Sequence, residues 1–96
     1  MPIETQLRDT ALRLRIRELI EDGHLPVMVP KNIGAGYGSG RACDACDQPI
    51  TKTQIEYDVV DYQHRKRLFF HMGCHVVWQL ECIEALRRDV RIDNIG

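Results

Sequence analysis

Apolar residues recur along this chain with two periods, one helical and one of two, and the change between them divides the sequence. From residue 3 to 22 the spacing predicts a helix that ends at Gly23, with Leu25-Pro26 blocking its extension. At about 100° per residue, Ile3, Leu7, Ala11 and Leu14 fall on one side, and Leu12, Ile16, Leu19 and Ile20 fall nearly opposite. Arg8 and Arg15 fill one flank between these sides, and Arg13 and Arg17 fill the other. A helix apolar on two sides calls for two neighbours, such as its own domain and a second copy of the chain. The plainer alternative is a terminal helix whose arginine stems cover apolar surface.

His24 to Arg41 reads as a linker. Pro26 and Pro30 interrupt regular structure, and Gly34 to Gly40 is too rich in glycine for a helix or a central strand. Cys43 to Pro49 has the look of a turn. Ile55, Tyr57 and Val59 then alternate with Glu56, Asp58 and Val60, the period of a strand. Gln63-His64-Arg65-Lys66 predicts a turn, and Arg67 to Phe70 a returning strand that completes a hairpin. A second helix is expected from about Gly73 to Arg88. Val76, Leu80 and Ile83 line one face of it, widened by Trp78, Cys82, Ala85 and Leu86, and that breadth predicts a largely buried helix. The expected fold is α+β: an amphipathic helix over 1–24, a Gly/Pro-rich linker over 25–41, a zinc-stapled hairpin–helix module over 42–90, and a flexible tail over 91–96.

Composition narrows the function. Ninety-six residues form one domain with a modest core, for which a metal staple is a useful supplement. A net charge of -1 supplies no whole-molecule attraction to nucleic acid or an anionic membrane. No run approaches the roughly 18 apolar residues of a membrane span. The first residues, Met1 to Thr5, lack the basic-then-apolar pattern of a signal peptide, so the expected compartment is the cytoplasm. In that reducing setting, four cysteines point to metal ligands or redox groups rather than disulfides.

The chemistry concentrates at Cys43-Asp44-Ala45-Cys46 and His71-Met72-Gly73-Cys74. Each pair has two residues between its members, a spacing at which one turn can aim both side chains at one ion. The predicted hairpin carries the chain out and back, so the two pairs can meet. Three thiols and one imidazole match a closed structural zinc site, and soft thiolates select zinc over magnesium, calcium or manganese. One Zn2+ per chain is expected, held by Cys43, Cys46, His71 and Cys74. His75 is a rival imidazole, but its place directly after Cys74 in a helix points it elsewhere. Cys82 reads as a small buried hydrophobe.

The run Cys43-x2-Cys46, Pro49-Ile50, a hairpin, Phe70-His71-x2-Cys74 and an apolar helix is similar to treble-clef zinc modules. It looks most like the first zinc site of a LIM domain, where an aromatic precedes the histidine as Phe70 does here. The likeness covers roughly residues 43 to 88. It implies the ligand role for the same four residues and, by analogy of fold, a protein-interaction module. The gap between the pairs is slightly long for that family, and the second set of LIM cysteines is absent. With its Gly-rich lead-in and Trp78, the pattern also resembles small bacterial proteins of unknown function.

Catalysis is not expected. Four protein ligands leave no open metal position for a water. A Cys43/Cys46 dithiol would follow a glycine linker instead of opening a helix within a βαβ unit, and Asp44 and Asp47 are expected to raise its thiol pKa. Gly34 to Gly40 lacks the Gly-Lys-Ser/Thr ending of a phosphate loop. Glu56 and Asp58 share a strand face and read as solvated carboxylates. The leading expectation is a non-catalytic zinc protein that meets a protein partner, or itself, through the first helix. The alternative is nucleic-acid binding through Arg65, Lys66, Arg67 and the helix arginines, and the third is thiol redox chemistry.

Overall fold

The computed structural model describes the backbone of residues 2–95 and the side chains of residues 10–88. Its order is α1 (Pro2–Glu21), β1 (Ile33–Tyr37), β2 (Ile55–Asp61), β3 (Lys66–His71) and α2 (Met72–Ile95). The three strands form one antiparallel sheet in the order β1-β2-β3, flanked by the two helices. The α+β expectation holds. Among the described residues, no helix is long and apolar enough to cross a membrane.

Helix α1 turns one of its two apolar sides inward. Ile16 is fully buried, with Leu12, Leu19 and Ile20 packed around it. On the other side Ala11 and Leu14 face solvent, while Ile3, Leu7 and Arg8 lie outside the described side chains. Gly23 ends the helix at φ 82, a left-handed conformation that glycine adopts without a Cβ clash. The amides of His24 and Leu25 both reach back to the Leu19 carbonyl, and Leu25 is driven into the core.

The chain then crosses the molecule instead of forming a loose joint. The Pro26 carbonyl accepts hydrogen bonds from Trp78 Nε1 at 3.0 Å and Cys82 Sγ at 3.6 Å, which fixes the crossing against α2. The glycine-rich stretch expected as a linker contains β1, which pairs with β2 from Ile33↔Val59 to Tyr37↔Ile55. An edge strand is hydrogen-bonded along one side only, so its glycines cost strand propensity without breaking the sheet. Gly38, which follows, is held for another reason. A Cβ there would lie 1.9 Å from the Thr51 carbonyl oxygen, so only glycine permits this approach.

The β2–β3 hairpin forms where expected, from Glu56↔His71 to Asp61↔Lys66. Buried Asp61 organises its turn by accepting hydrogen bonds from the His64 amide and ring, while Arg65 takes a positive φ of 55. Inward-facing Val59, Leu68 and Phe70 meet α2, and Phe70 stacks on the fully buried Trp78 at 4.8 Å between ring centroids. Helix α2 differs from expectation in two ways. It runs on to Ile95, through the segment expected as a tail. Its Trp78–Cys82 side is buried, but Val76, Leu80 and Ile83, expected inside, are 52%, 47% and 43% exposed. Both sides of the helix are apolar, and the small sheet covers only one.

Candidate metal centre

Two local structures deliver the four donors. Residues 42–49 close a small hairpin of their own, with an Ala42↔Pro49 bridge and hydrogen bonds from the Cys43 amide to Gln48 O and from the Asp47 amide to Cys43 O, each 2.9 Å. Asp47 sits at φ 65, a conformation that aspartate tolerates better than most side chains. This turn aims Cys43 and Cys46 at one point, and the Ala45 amide lies 3.4 Å from Cys43 Sγ. His71 ends β3, and Cys74 lies in the first turn of α2. The positive end of a helix favours a thiolate there.

The donor atoms of Cys43, Cys46, His71 and Cys74 all lie within 4.8 Å of one another. His71 Nδ1 is 3.3 Å from Cys46 Sγ and 3.9 Å from Cys74 Sγ. A tetrahedral ion with bonds of about 2.3 Å to sulfur and 2.0 Å to nitrogen holds its donors roughly 3.5–3.8 Å apart. The cluster therefore fits a single metal ion in both spacing and donor chemistry.

The imidazole is oriented from behind. His71 Nε2 is 3.2 Å from the Pro49 carbonyl, to which it can donate a proton, and this leaves Nδ1 free to face the sulfurs. His75 does not join them. Its ring stacks on Tyr57 at 4.8 Å and meets Phe70 and Trp78 edge-on, inside the apolar layer. Burial lowers its pKa, and its Nε2 is buried without a hydrogen-bond partner among the described residues. Cys82 is buried against Pro26, and burial raises its thiol pKa.

Three more contacts brace the cluster. The Asp44 amide donates to Phe69 O at 2.8 Å while the Phe69 amide donates to Asp44 Oδ2 at 2.7 Å, so the first turn is tied to β3 two residues before His71. The Arg41 guanidinium lies over the Phe69 ring at 3.8 Å. Arg15 Nε donates to the Ala45 carbonyl at 2.6 Å, fastening α1 onto the cysteine turn. Sequence reasoning missed all three. Asp44, inside the motif, carried the one local signal, since an aspartate in a turn commonly bonds nearby backbone.

The thiols cannot all ionise alone. Cys43 is brought down to about 4, chiefly by a hydrogen bond from the Cys74 thiol, against the opposing effect of burial. That bond, then burial and the charges of Cys43 and Cys46, pushes Cys74 well above the ordinary thiol range. Burial is the main cause that raises Cys46. The repulsion expected from Asp44 and Asp47 is not among the leading causes at any of the three.

Several of the remaining candidate residues serve structural contacts, while Arg65 is exposed in the hairpin turn. Glu56 accepts from the Ser39 amide and hydroxyl, and Asp58 forms a two-point pair with Arg67. Lys66 reaches the His24 carbonyl at 3.5 Å. Arg13 and Arg17 both bind Glu81, whose side chain is only 1% exposed.

Comparison with protein-family models, curated proteins and solved structures finds no match for this chain.

Proposed function

We propose that this chain is a small non-catalytic structural-zinc protein that works as a protein-interaction or regulatory module. The observation that carries the reading is the convergence of three thiols and one back-oriented imidazole within 4.8 Å. Soft sulfur donors with one nitrogen favour zinc, and a fourfold protein donor set leaves no place for substrate or water on the metal. The order of cysteine turn, hairpin and helix supports the treble-clef likeness. Its role is to hold surfaces in place: Arg15 fastens α1 to the cysteine turn, and Asp44 fastens that turn to the sheet.

Nucleic-acid binding is the weaker reading. Arg67 is neutralised by Asp58, Arg13 and Arg17 share Glu81, Lys66 and Arg15 are drawn to backbone carbonyls, and the net charge is -1. Thiol redox chemistry requires an accessible cysteine pair, and Cys43 is 2% exposed. The test is the metal content of protein purified without added metal, followed by chelator titration under circular dichroism. One zinc per chain and unfolding on chelation support the proposal. A metal-free chain that is fully folded overturns it.

A further inference from the structure

Among the described residues the sheet has one open edge, and its hydrogen bonds identify the groups on it. In an antiparallel pair, residues alternate between those that bond across the pair and those whose amide and carbonyl point away from it. The Gly38 amide donates to Gln54 O at 2.9 Å, one step beyond Tyr37↔Ile55, so Gly36 and Gly34 are the β1 residues that bond to β2. The amides and carbonyls of Ile33, Ala35 and Tyr37 therefore point outward, and none has a hydrogen-bond partner among the described residues. The same alternation turns Phe69 outward on β3, but that edge is closed. Asp44 bonds both the amide and the carbonyl of Phe69. No described helix or strand besides β2 lies against β1, and every residue of β1 is exposed.

Edge strands are ordinarily shielded by charge, proline, a bulge or a covering element. β1 has none of these. Asn32 to Ser39 contains no charge and no proline, and the register against β2 is unbroken from Ile33 to Tyr37. The two faces of the strand differ. Ile33, Ala35 and Tyr37 share the face of Val59 and Tyr57, and Tyr37 is 79% exposed. Gly34 and Gly36 leave the other face without side chains. At the start of the strand that face opens into a pocket of about 380 Å³, whose lining includes Lys31, Asn32, Gly34, Asp58 and Arg67. Arg67 is paired with Asp58, whereas Lys31 has no acidic partner among the described residues.

We propose that β1 is a docking edge for an extended, acidic peptide segment of a partner protein, which joins the sheet as a further strand. A row of unpaired amides and carbonyls in strand geometry recognises one kind of ligand, another polypeptide backbone in extended form. Every second side chain of the added strand falls on the face of Ile33 and Tyr37, where apolar residues cover both. The others fall on the face of the glycines, which leads to Lys31. With two cations to one carboxylate, that end favours an acidic residue of the partner over a basic one. A second copy of β1 is a poorer match, because Asn32 to Ser39 carries no acidic side chain to offer Lys31.

The inference rests on the interaction reading above and gives it a class of partner, on β1 instead of α1. Its test titrates the full, isotope-labelled, zinc-loaded chain with short peptides that alternate valine and threonine. One series carries glutamate at both ends and the other lysine, and amide hydrogen exchange is read by NMR. The expected result is slowed exchange at Ile33, Ala35 and Tyr37, with Gly34 and Gly36, already bonded to β2, unchanged. The glutamate series is expected to bind more tightly, by about threefold at low salt, and Lys31→Glu to reverse that order. Ala35→Pro removes an outward amide while leaving the bonds to β2, and is expected to weaken binding by about tenfold. The alternation is read in the parent chain, so it stands whether or not the proline variant folds. The proposal is overturned if neither series slows those three amides at millimolar concentration, if Gly34 and Gly36 gain equal protection, or if the two series bind alike. The same pattern growing with the chain's own concentration, without peptide, gives the edge to a second copy and also overturns it. Zinc content of the same sample keeps the readings apart. A zinc-loaded chain that ignores both series leaves the zinc reading standing, whereas a metal-free folded chain that binds peptide overturns that reading alone.

Discussion

The His71 ring and the Pro49 carbonyl meet behind the candidate metal centre. The 3.2 Å contact from His71 Nε2 to the Pro49 carbonyl joins the end of β3 to the end of the cysteine turn. It orients the ring, and the choice of tautomer follows, with Nδ1 left as the donor toward sulfur. The residue that closes the first turn thus positions the ligand supplied by the second.

Substitution separates the two histidines. His71→Ala is expected to abolish stoichiometric metal binding and destabilise the chain. His75→Phe is expected to keep one metal per chain, because the ring in that place stacks on Tyr57 and coordinates nothing. Removing the unpartnered Nε2 makes His75→Phe neutral or stabilising by about 1 kcal/mol. Metal analysis and denaturant unfolding of both variants provide the check.

Metal binding is expected to release protons. Cys74 and Cys46 stand above the ordinary thiol range in the free cluster, while Cys43, at about 4, is already a thiolate near neutrality. The ion must displace protons from the first two, so apparent affinity falls as pH falls. Cys43→Ser removes a buried thiolate ligand and is expected to cost roughly 4 kcal/mol or more of stability. Calorimetric zinc titration in buffers of different ionisation enthalpy measures the protons released, and a value near zero contradicts the argument.

Chelation by one turn demands short spacing, so Cys43-x2-Cys46 and His71-x2-Cys74 were legible in the sequence. The hairpin was legible because Ile55, Tyr57 and Val59 keep a strict period of two. β1 was not, although Ile33, Ala35 and Tyr37 alternate too: intervening glycines give the alternation no second face, and edge pairing is a tertiary fact. Helix α2 shows another limit. Hydrophobicity marks both the Trp78 side and the Val76 side as apolar, but the extent of the sheet decides which is covered. The bonds from Arg15 to Ala45, and from Arg13 and Arg17 to Glu81, span 30 to 68 residues and leave no local pattern.

The glycines before Cys43 are expected to respond unequally to alanine. Gly38→Ala forces a Cβ against the backbone carbonyls of Thr51 and Ile50 and is expected to cost roughly 3 kcal/mol. Gly36→Ala meets nothing within 4 Å and has no positive φ, so it is expected to be neutral or to stabilise by up to about 1 kcal/mol. Equal responses in denaturant unfolding would return this stretch to the role of a passive linker.

Docking of α1 onto α2 is expected to be acid-sensitive through Glu81. Burial alone would raise the pKa of this carboxyl, but hydrogen bonds from Arg17 and then Arg13 override it and hold the value below the ordinary carboxylate range. A carboxyl depressed on folding contributes stability above its unfolded pKa, and that contribution is lost as pH falls through the folded value. Asp61, also buried and also depressed, through its bonds with His64, acts in the same direction. Arg17→Ala removes the stronger of Glu81's two partners, so its pKa rises and acid unfolding is expected to begin at higher pH than in the parent chain. Glu81→Gln keeps the shape of the buried side chain but cannot titrate, so it is expected to be less stable near neutrality and to show a flatter acid limb. Stability measured against pH for the three chains decides the matter: parallel curves would mean that the Arg13–Glu81–Arg17 cluster contributes packing without electrostatic linkage.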